Sequence, residues 1–218
     1  MEPTDLVFLF DVDNTLLDND RVTKDLRRFL DKEVGNERSS SYWEIFEELR
    51  GELGYADYLG ALQRYRIKHH FSANIIAVST FMVNYPFANR LFPNSLDVLE
   101  KCSEMGTVVI LTDGDVVFQP RKIERSGLYE AVGGKILIYI HKETELEDIE
   151  RRYPAERYIL VDDKVRILSS MKESWGKRLT TVFPRQGHYA LDAETVAKYP
   201  TPDYTVDRIG DLLEIDSF

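Results

Sequence analysis

The chain has 218 residues, room for one large domain or a compact domain carrying an insertion. Apolar residues make up 43% and charged residues 30%, the balance of a globular chain rather than a disordered or fibrous one. With 38 acidic against 28 basic side chains the formal charge is −10, which disfavours nucleic acid and membrane surfaces as partners and requires an anionic substrate to meet a local positive site. The single cysteine, Cys102, cannot close an internal disulfide and reads as a small core residue in a reducing compartment. The opening MEPTDLVFLFDVDN has no positive n-region, and its apolar run is too short for a signal peptide or a membrane span; a cytoplasmic protein is expected.

The first element is the continuous apolar run from Leu6 to Phe10, broken by Asp11, which predicts a strand buried on both faces. From about Asp18 to Asn89 no strand pattern occurs. Apolar residues instead recur at helical spacing: Val22, Leu26, Phe29 and Leu30; Trp43, Phe46, Leu49 and Leu53; Tyr58, Leu62 and Tyr65; Ile75, Val78 and Met82. The Tyr42/Trp43 and Tyr55/Tyr58 aromatics read as the core of this bundle, and His69 and His70 as a solvated helix end. A helix from Pro93 to a stop at Gly106 then puts Leu96, Leu99, Cys102 and Met105 on one face. Four more apolar runs follow, at 107–112, 135–140, 157–162 and 178–183, separated by helical patterns such as Val165, Leu168, Met171 and Trp175. This alternation predicts an α/β fold, a parallel sheet with helices on both faces. Residues 18–89 are expected to form an all-helical cap over the carboxyl ends of the strands, on a core of 1–17 and 90–218.

Asp11 and Asp13 follow the first strand directly, at the end where α/β sheets place their sites. Two carboxylates there attract a hard cation such as Mg²⁺. One can bind it and attack phosphorus while the other, protonated, supplies a proton to the leaving oxygen. The competing reading is a polar turn with Asp and Asn as helix caps. Thr112 closes the second run in ILTDGD, where its hydroxyl and the backbone N–H groups of Asp113 and Gly114 can hold non-bridging phosphate oxygens. Asp115 either lines that site or shapes the turn. A phosphoryl group among carboxylates also needs a cation on a flexible stem; Lys142 is the first choice and Lys122 the rival. Asp162 and Asp163 end the fourth run as an acidic pair suited to the remaining ligation of Mg²⁺. His188 has no partner at meaningful spacing and reads as structural.

FLFDVDNTL resembles the first signature of the haloacid dehalogenase-like (HAD) superfamily, an apolar strand followed by DxDx[TV], and the later motifs follow in that family's order. The resemblance covers residues 1–17 and 90–183 and implies a Rossmann-like core. It also implies a magnesium-dependent phosphatase acting on a small-molecule phosphate monoester. Asp11 would be nucleophile and metal ligand, and Asp13 the general acid/base with its backbone carbonyl on the metal. Thr112, Asp113, Gly114 and Lys142 would hold the phosphate. Aligning VDDK with the family pattern makes Asp163 the direct metal ligand and Asp162 one acting through water. Two positions depart from the pattern: Glu143 stands where proline often follows the lysine, and Ile167 where a further Asp often occurs. Within the family, 2-haloacid dehalogenases need no metal and lack the second acidic residue. A phosphomutase shares every residue and differs in whether the cap keeps water out. A receiver-type regulatory domain uses the same side chains in another order along the chain, and a catalytically silent domain needs none of them.

Overall fold

The computed structural model describes residues 4–69 and 74–216, so His70 lies outside the described residues. In β1 (Thr4–Phe10), Val7 and Leu9 point to one face and Phe8 and Phe10 to the other, all at most 1% exposed. Burying such a side chain contributes about 1.5–3 kcal/mol, more than the net ~0.5–1.5 kcal/mol of a ladder hydrogen bond. Both faces of the strand must therefore be covered.

After β1 the chain runs through α1 (Asn19–Val34), α2 (Asn36–Leu53), α3 (Tyr58–Lys68) and α4 (Ile75–Asn84) before α5 (Ser95–Met105) and β2 (Thr107–Asp113). Then follow α6 (Phe118–Ser126), α7 (Leu128–Ala131), β3 (Ile136–Tyr139), α8 (Leu146–Arg152), β4 (Ala155–Val161) and α9 (Val165–Trp175). The chain closes with β5 (Leu179–Pro184), α10 (Gly187–Leu191), α11 (Ala193–Val196) and β6 (Tyr204–Val206). The strands form one sheet in the order β3-β2-β1-β4-β5-β6, every neighbouring pair parallel.

Parallel neighbours need crossover connections, and these cover the sheet. Leu99 and Cys102 of α5 and Ile123 of α6 join the cluster on the Phe8/Phe10 face; Ile149 of α8 and Leu168 and Met171 of α9 join the one on the Val7/Leu9 face. The expected α/β architecture is thus the observed one. The sixth strand was not expected, because three residues at a sheet edge carry no periodicity.

The helical segment α1–α4 leaves and rejoins the sheet at one place. Asp18 N–H donates to Arg90 O at 2.8 Å and Phe92 N–H to Leu16 O at 2.9 Å, so the two crossing stretches lie side by side. Asp25 of α1 reinforces the joint by accepting from Tyr85 Oη at 2.6 Å and from the Arg90 guanidinium at 2.7 Å. Within the segment Tyr42, Tyr58 and Tyr65 are buried core, as the pattern predicted. His69 departs from the expected solvated end: its Nε2 lies 2.9 Å from Ser41 Oγ and its ring 4.7 Å from that of Tyr65. Among the described residues no helix is long and apolar enough to cross a membrane.

Candidate active site

The chain moves outward from β1 in two directions, to β2 and β3 on one side and to β4, β5 and β6 on the other. At such a switch point neighbouring loops diverge and open a crevice beyond the carboxyl ends of the strands. Register decides what stands there. Phe10 pairs with Val161, so Asp11 is level with Asp162, and Asp11 N–H donates to Val161 O at 3.0 Å. Phe10 also pairs with Ile110, which brings Thr112 to the same end of β2. Thr15 ties the loops together by accepting the Asp163 N–H at 3.0 Å on Oγ1.

One oxygen from each of Asp11, Asp162 and Asp163 lies within 4.8 Å of the other two, and all three residues are at most 3% exposed. Lys142 Nζ donates to Asp11 Oδ1 at 2.6 Å and to Leu111 O at 3.1 Å. It also lies 2.7 Å from Asp162 Oδ2, an ion pair by distance rather than a directed hydrogen bond. Burial works against the Lys142 charge, but Asp11, Asp162 and Asp113 outweigh it and hold the ammonium well above the usual lysine range. Asp162 Oδ1 accepts the Lys164 N–H at 2.8 Å. Asp11 Oδ2 and both oxygens of Asp163 have no hydrogen-bond partner. Burial raises both paired carboxyls, Asp163 well above the ordinary value, with Lys164 opposing and Asp162 and Asp11 adding to the rise. Carboxylate oxygens buried without donors are costly. One oxygen from each of three buried carboxylates converging fits the all-oxygen ligation of a hard divalent cation.

The Asp13 side chain is not part of that cluster. Lys122 Nζ donates to Asp13 Oδ1 at 2.5 Å and to Asn19 Oδ1 at 3.0 Å, with the lysine 0% and the aspartate 24% exposed at the side chain. Both candidate lysines therefore reach the site, on different carboxylates.

Thr112 is buried and its Oγ1 accepts from Gln119 Nε2 at 3.0 Å. The expectation for Gly114 needs correction: its N–H donates to Tyr139 O at 2.9 Å, because the β2–β3 ladder runs one residue past the strand. Successive strand N–H groups point to opposite sides, so Asp113 N–H faces the β1 side. Glycine is required at 114 for another reason. A Cβ there would lie 2.5 Å from Gln119 Cβ, so its absence lets Gln119 reach Thr112. Asp113 Oδ1 accepts the Lys142 backbone N–H at 2.7 Å, and burial pushes its carboxyl up to about 6. Asp115 shapes the turn, accepting from Val117 N at 2.8 Å and Phe118 N at 2.7 Å.

Helices α1 and α2 and the Gly54–Tyr58 stretch stand over this floor and leave a cleft of about 460 Å³. Contacts that bridge it include Lys122 with Asn19, Gly54 against the His141 ring, and Asp20 with His188. His188 donates its N–H to Asp20 Oδ2 at 2.9 Å and sets Nδ1 2.6 Å from Oδ1. That partner is 168 residues away, beyond any local pattern. Sequence reasoning also passed over Asn19, Gln119 and Lys164. Lys164 lines the cleft with Nζ 5.3 Å from the Tyr189 ring centroid, and its place beside the acidic pair in VDDK was the available signal. Burial opposes its charge, and Asp163, Asp11 and Asp162 hold it up.

The family model for haloacid dehalogenase-like hydrolases matches residues 6–174. No curated protein matches. Among solved structures, a haloacid dehalogenase-like hydrolase from Burkholderia xenovorans LB400 is 58% identical, with a TM-score of 0.94 and 99% of this chain and 100% of that one covered. The HAD hydrolase YfnB from Bacillus subtilis, solved bound to magnesium, is 16% identical with a TM-score of 0.65, covering 96% and 97% of the two chains. L-2-haloacid dehalogenase from Xanthobacter autotrophicus is 17% identical with a TM-score of 0.61, covering 97% and 98%. The last two share the fold alone. A family match over most of the chain, on a sheet whose switch point gathers Asp11, Asp162 and Asp163, makes this chain a member of the haloacid dehalogenase-like hydrolase family.

Proposed function

We propose that the protein is a phosphatase hydrolysing a small-molecule phosphate monoester through an aspartyl-phosphate on Asp11. The observation that carries this reading is Asp13, a second carboxyl group held by Lys122 at the cleft beside the buried Asp11. In the first step an Asp11 oxygen attacks phosphorus, the bond from phosphorus to the ester oxygen breaks, and that oxygen takes the proton of the Asp13 carboxyl group. In the second, Asp13 takes a proton from water, the resulting hydroxide attacks phosphorus, and the bond to Asp11 breaks to free phosphate. Lys142, Thr112 and the Asp113 N–H hold the phosphoryl oxygens through both steps. Mg²⁺ bound by Asp11 and Asp163, with Asp162 behind them, would supply further positive charge at those oxygens. Segment α1–α4 acts as the lid.

A dehalogenase, as the Xanthobacter neighbour is named, asks for less. Halide leaves carbon without a proton, so that reaction gives Asp13 no leaving oxygen to protonate and gives the unpaired oxygens of Asp163 no cation to hold. Transfer to a second hydroxyl, as in a phosphomutase, needs water shut out, whereas the Asp13 side chain is 24% exposed.

Rapid quench and intact mass measurement test the proposal with an aryl phosphate, whose leaving group needs little protonation. Asp13→Asn should carry one added phosphoryl group and hydrolyse about 10²–10⁴-fold more slowly, while Asp11→Asn should never carry it. Accumulation on Asp11→Asn instead, or chloride release from 2-chloropropionate without phosphate release from any ester, would overturn it.

A further inference from the structure

The wall of the cleft above Asp13 is a continuous ladder of rings. Trp43 and Phe46 have centroids 5.5 Å apart, Phe46 and Tyr58 4.7 Å, and Tyr58 and Phe118 5.1 Å, and all four line the cleft. The lower end meets the catalytic floor, where Lys122 Nζ lies 5.4 Å from the Phe118 centroid while donating to Asp13. The upper end carries a cation: the Arg27 guanidinium lies 4.5 Å from the Trp43 centroid. Lys24, one turn earlier on α1, faces the same space.

Most charges around the cleft are already answered. Asp20 is paired with His188, Arg50 with Glu47, Arg166 with Glu143, and Lys164 stands among the carboxylates of the floor. Among the described residues Lys24 and Arg27 have no ion-pair partner, in a chain whose net charge is −10. Their height follows from helix geometry. Asn19 touches Lys122 at the floor, and Arg27 is eight residues further along α1, or about 12 Å up the axis at 1.5 Å per residue.

Building on the phosphatase reading, we infer that the substrate is a flat, ring-containing phosphate monoester with a second anionic group at its far end. The ester phosphate sits at Asp11, the ring lies along the Trp43–Phe118 wall, and the distal anion meets Arg27 and Lys24. Arginine held over the tryptophan ring keeps its N–H groups free for that anion, a cation–π arrangement that fixes the guanidinium without neutralising it. The cleft volume suits a metabolite of this size.

The test compares 6-(phosphonooxy)-2-naphthoate with its carboxyl methyl ester, which has the same ring and phosphate and no distal charge, on the wild-type protein with Mg²⁺. The acid should have a kcat/KM higher by about tenfold or more, mainly through KM. Arg27→Gln with Lys24→Gln should erase that preference. Equal kcat/KM for the two compounds, or a preference that survives both substitutions, overturns the assignment. If neither compound releases phosphate, the phosphatase reading is judged separately by the aryl phosphate experiment above, and calorimetric binding of the same pair still decides this one: tighter binding of the acid that is lost in the double variant supports it, and equal binding overturns it.

Discussion

Replacing Asp163 by Asn removes a buried ionisable carboxyl group with little change in volume. The carboxyl group is 1% exposed, neither oxygen has a hydrogen bond, and Asp11 and Asp162 crowd it with like charge. A buried acceptor without a partner costs about 1–3 kcal/mol, and a charged one more. In chelator the neutral variant should therefore be the more stable protein by at least about 1 kcal/mol. For a chain of 218 residues that is a rise in Tm of about 2–4 °C. Magnesium should reverse the order. At a hundred times its Kd it stabilises the wild type by about 2.7 kcal/mol, or about 5–10 °C, and the variant, missing a ligand, should gain little. Circular-dichroism melts of both proteins in chelator and in Mg²⁺ read the four values. A variant that melts below the wild type in chelator, or that keeps the whole magnesium shift, refutes the reading of the converging oxygens as a cation site.

Lys142→Met should cost about 3–5 kcal/mol in urea unfolding, because it leaves Asp11 and Asp162 facing each other, and should lower kcat by orders of magnitude; unchanged stability would mean the pairs contribute nothing. Lys122→Ala takes the cation from Asp13 rather than from the nucleophile and should reduce turnover less, and the opposite ranking would transfer the phosphate-holding role to Lys122. The Asp113 carboxyl, at about 6 when folded, binds its proton more tightly there than in the unfolded chain. Its ionisation costs nothing below about pH 4, grows as pH rises, and levels off above about pH 6, at no more than ~3 kcal/mol. Asp113→Asn should thus gain urea stability relative to wild type between those values, and a flat difference would contradict the assignment. Burial pushes the Cys102 thiol up to about 12, so a thiol reagent at pH 8 should label it only after denaturation; rapid labelling of the folded protein would place it elsewhere.

Much of the frame was legible because burial leaves a local trace. The run from Leu6 to Phe10 is apolar on consecutive residues since both its faces are covered, and the break at Asp11 marks where the sheet ends and chemistry can begin. Likewise the helical periods of Val22, Leu26 and Leu30, or Leu168, Met171 and Trp175, record a buried face. The edge strand Tyr204–Val206, too short to show a period, left no such trace.

By itself, then, the sequence determined the strand–helix alternation, the strand ends at which Asp11, Thr112 and Asp162 stand, and the helical character of the segment after β1. Which group meets which was decided only by tertiary structure. Lys142, the first choice, and Lys122, its rival, are both charges on flexible stems, and strand order and crossover sort them: Lys122 lands on Asp13 and Asn19, Lys142 on Asp11 and Asp162. The Gly114 N–H is taken by Tyr139 because of β2–β3 register, and His188 finds Asp20 across the cleft because the parallel strands β1 and β5 deliver α1 and α10 to the same end of the sheet. Periodicity reports how deeply a residue is buried within its own element; a hydrogen bond or ion pair between elements depends on positions set by the whole chain, and no local pattern contains them.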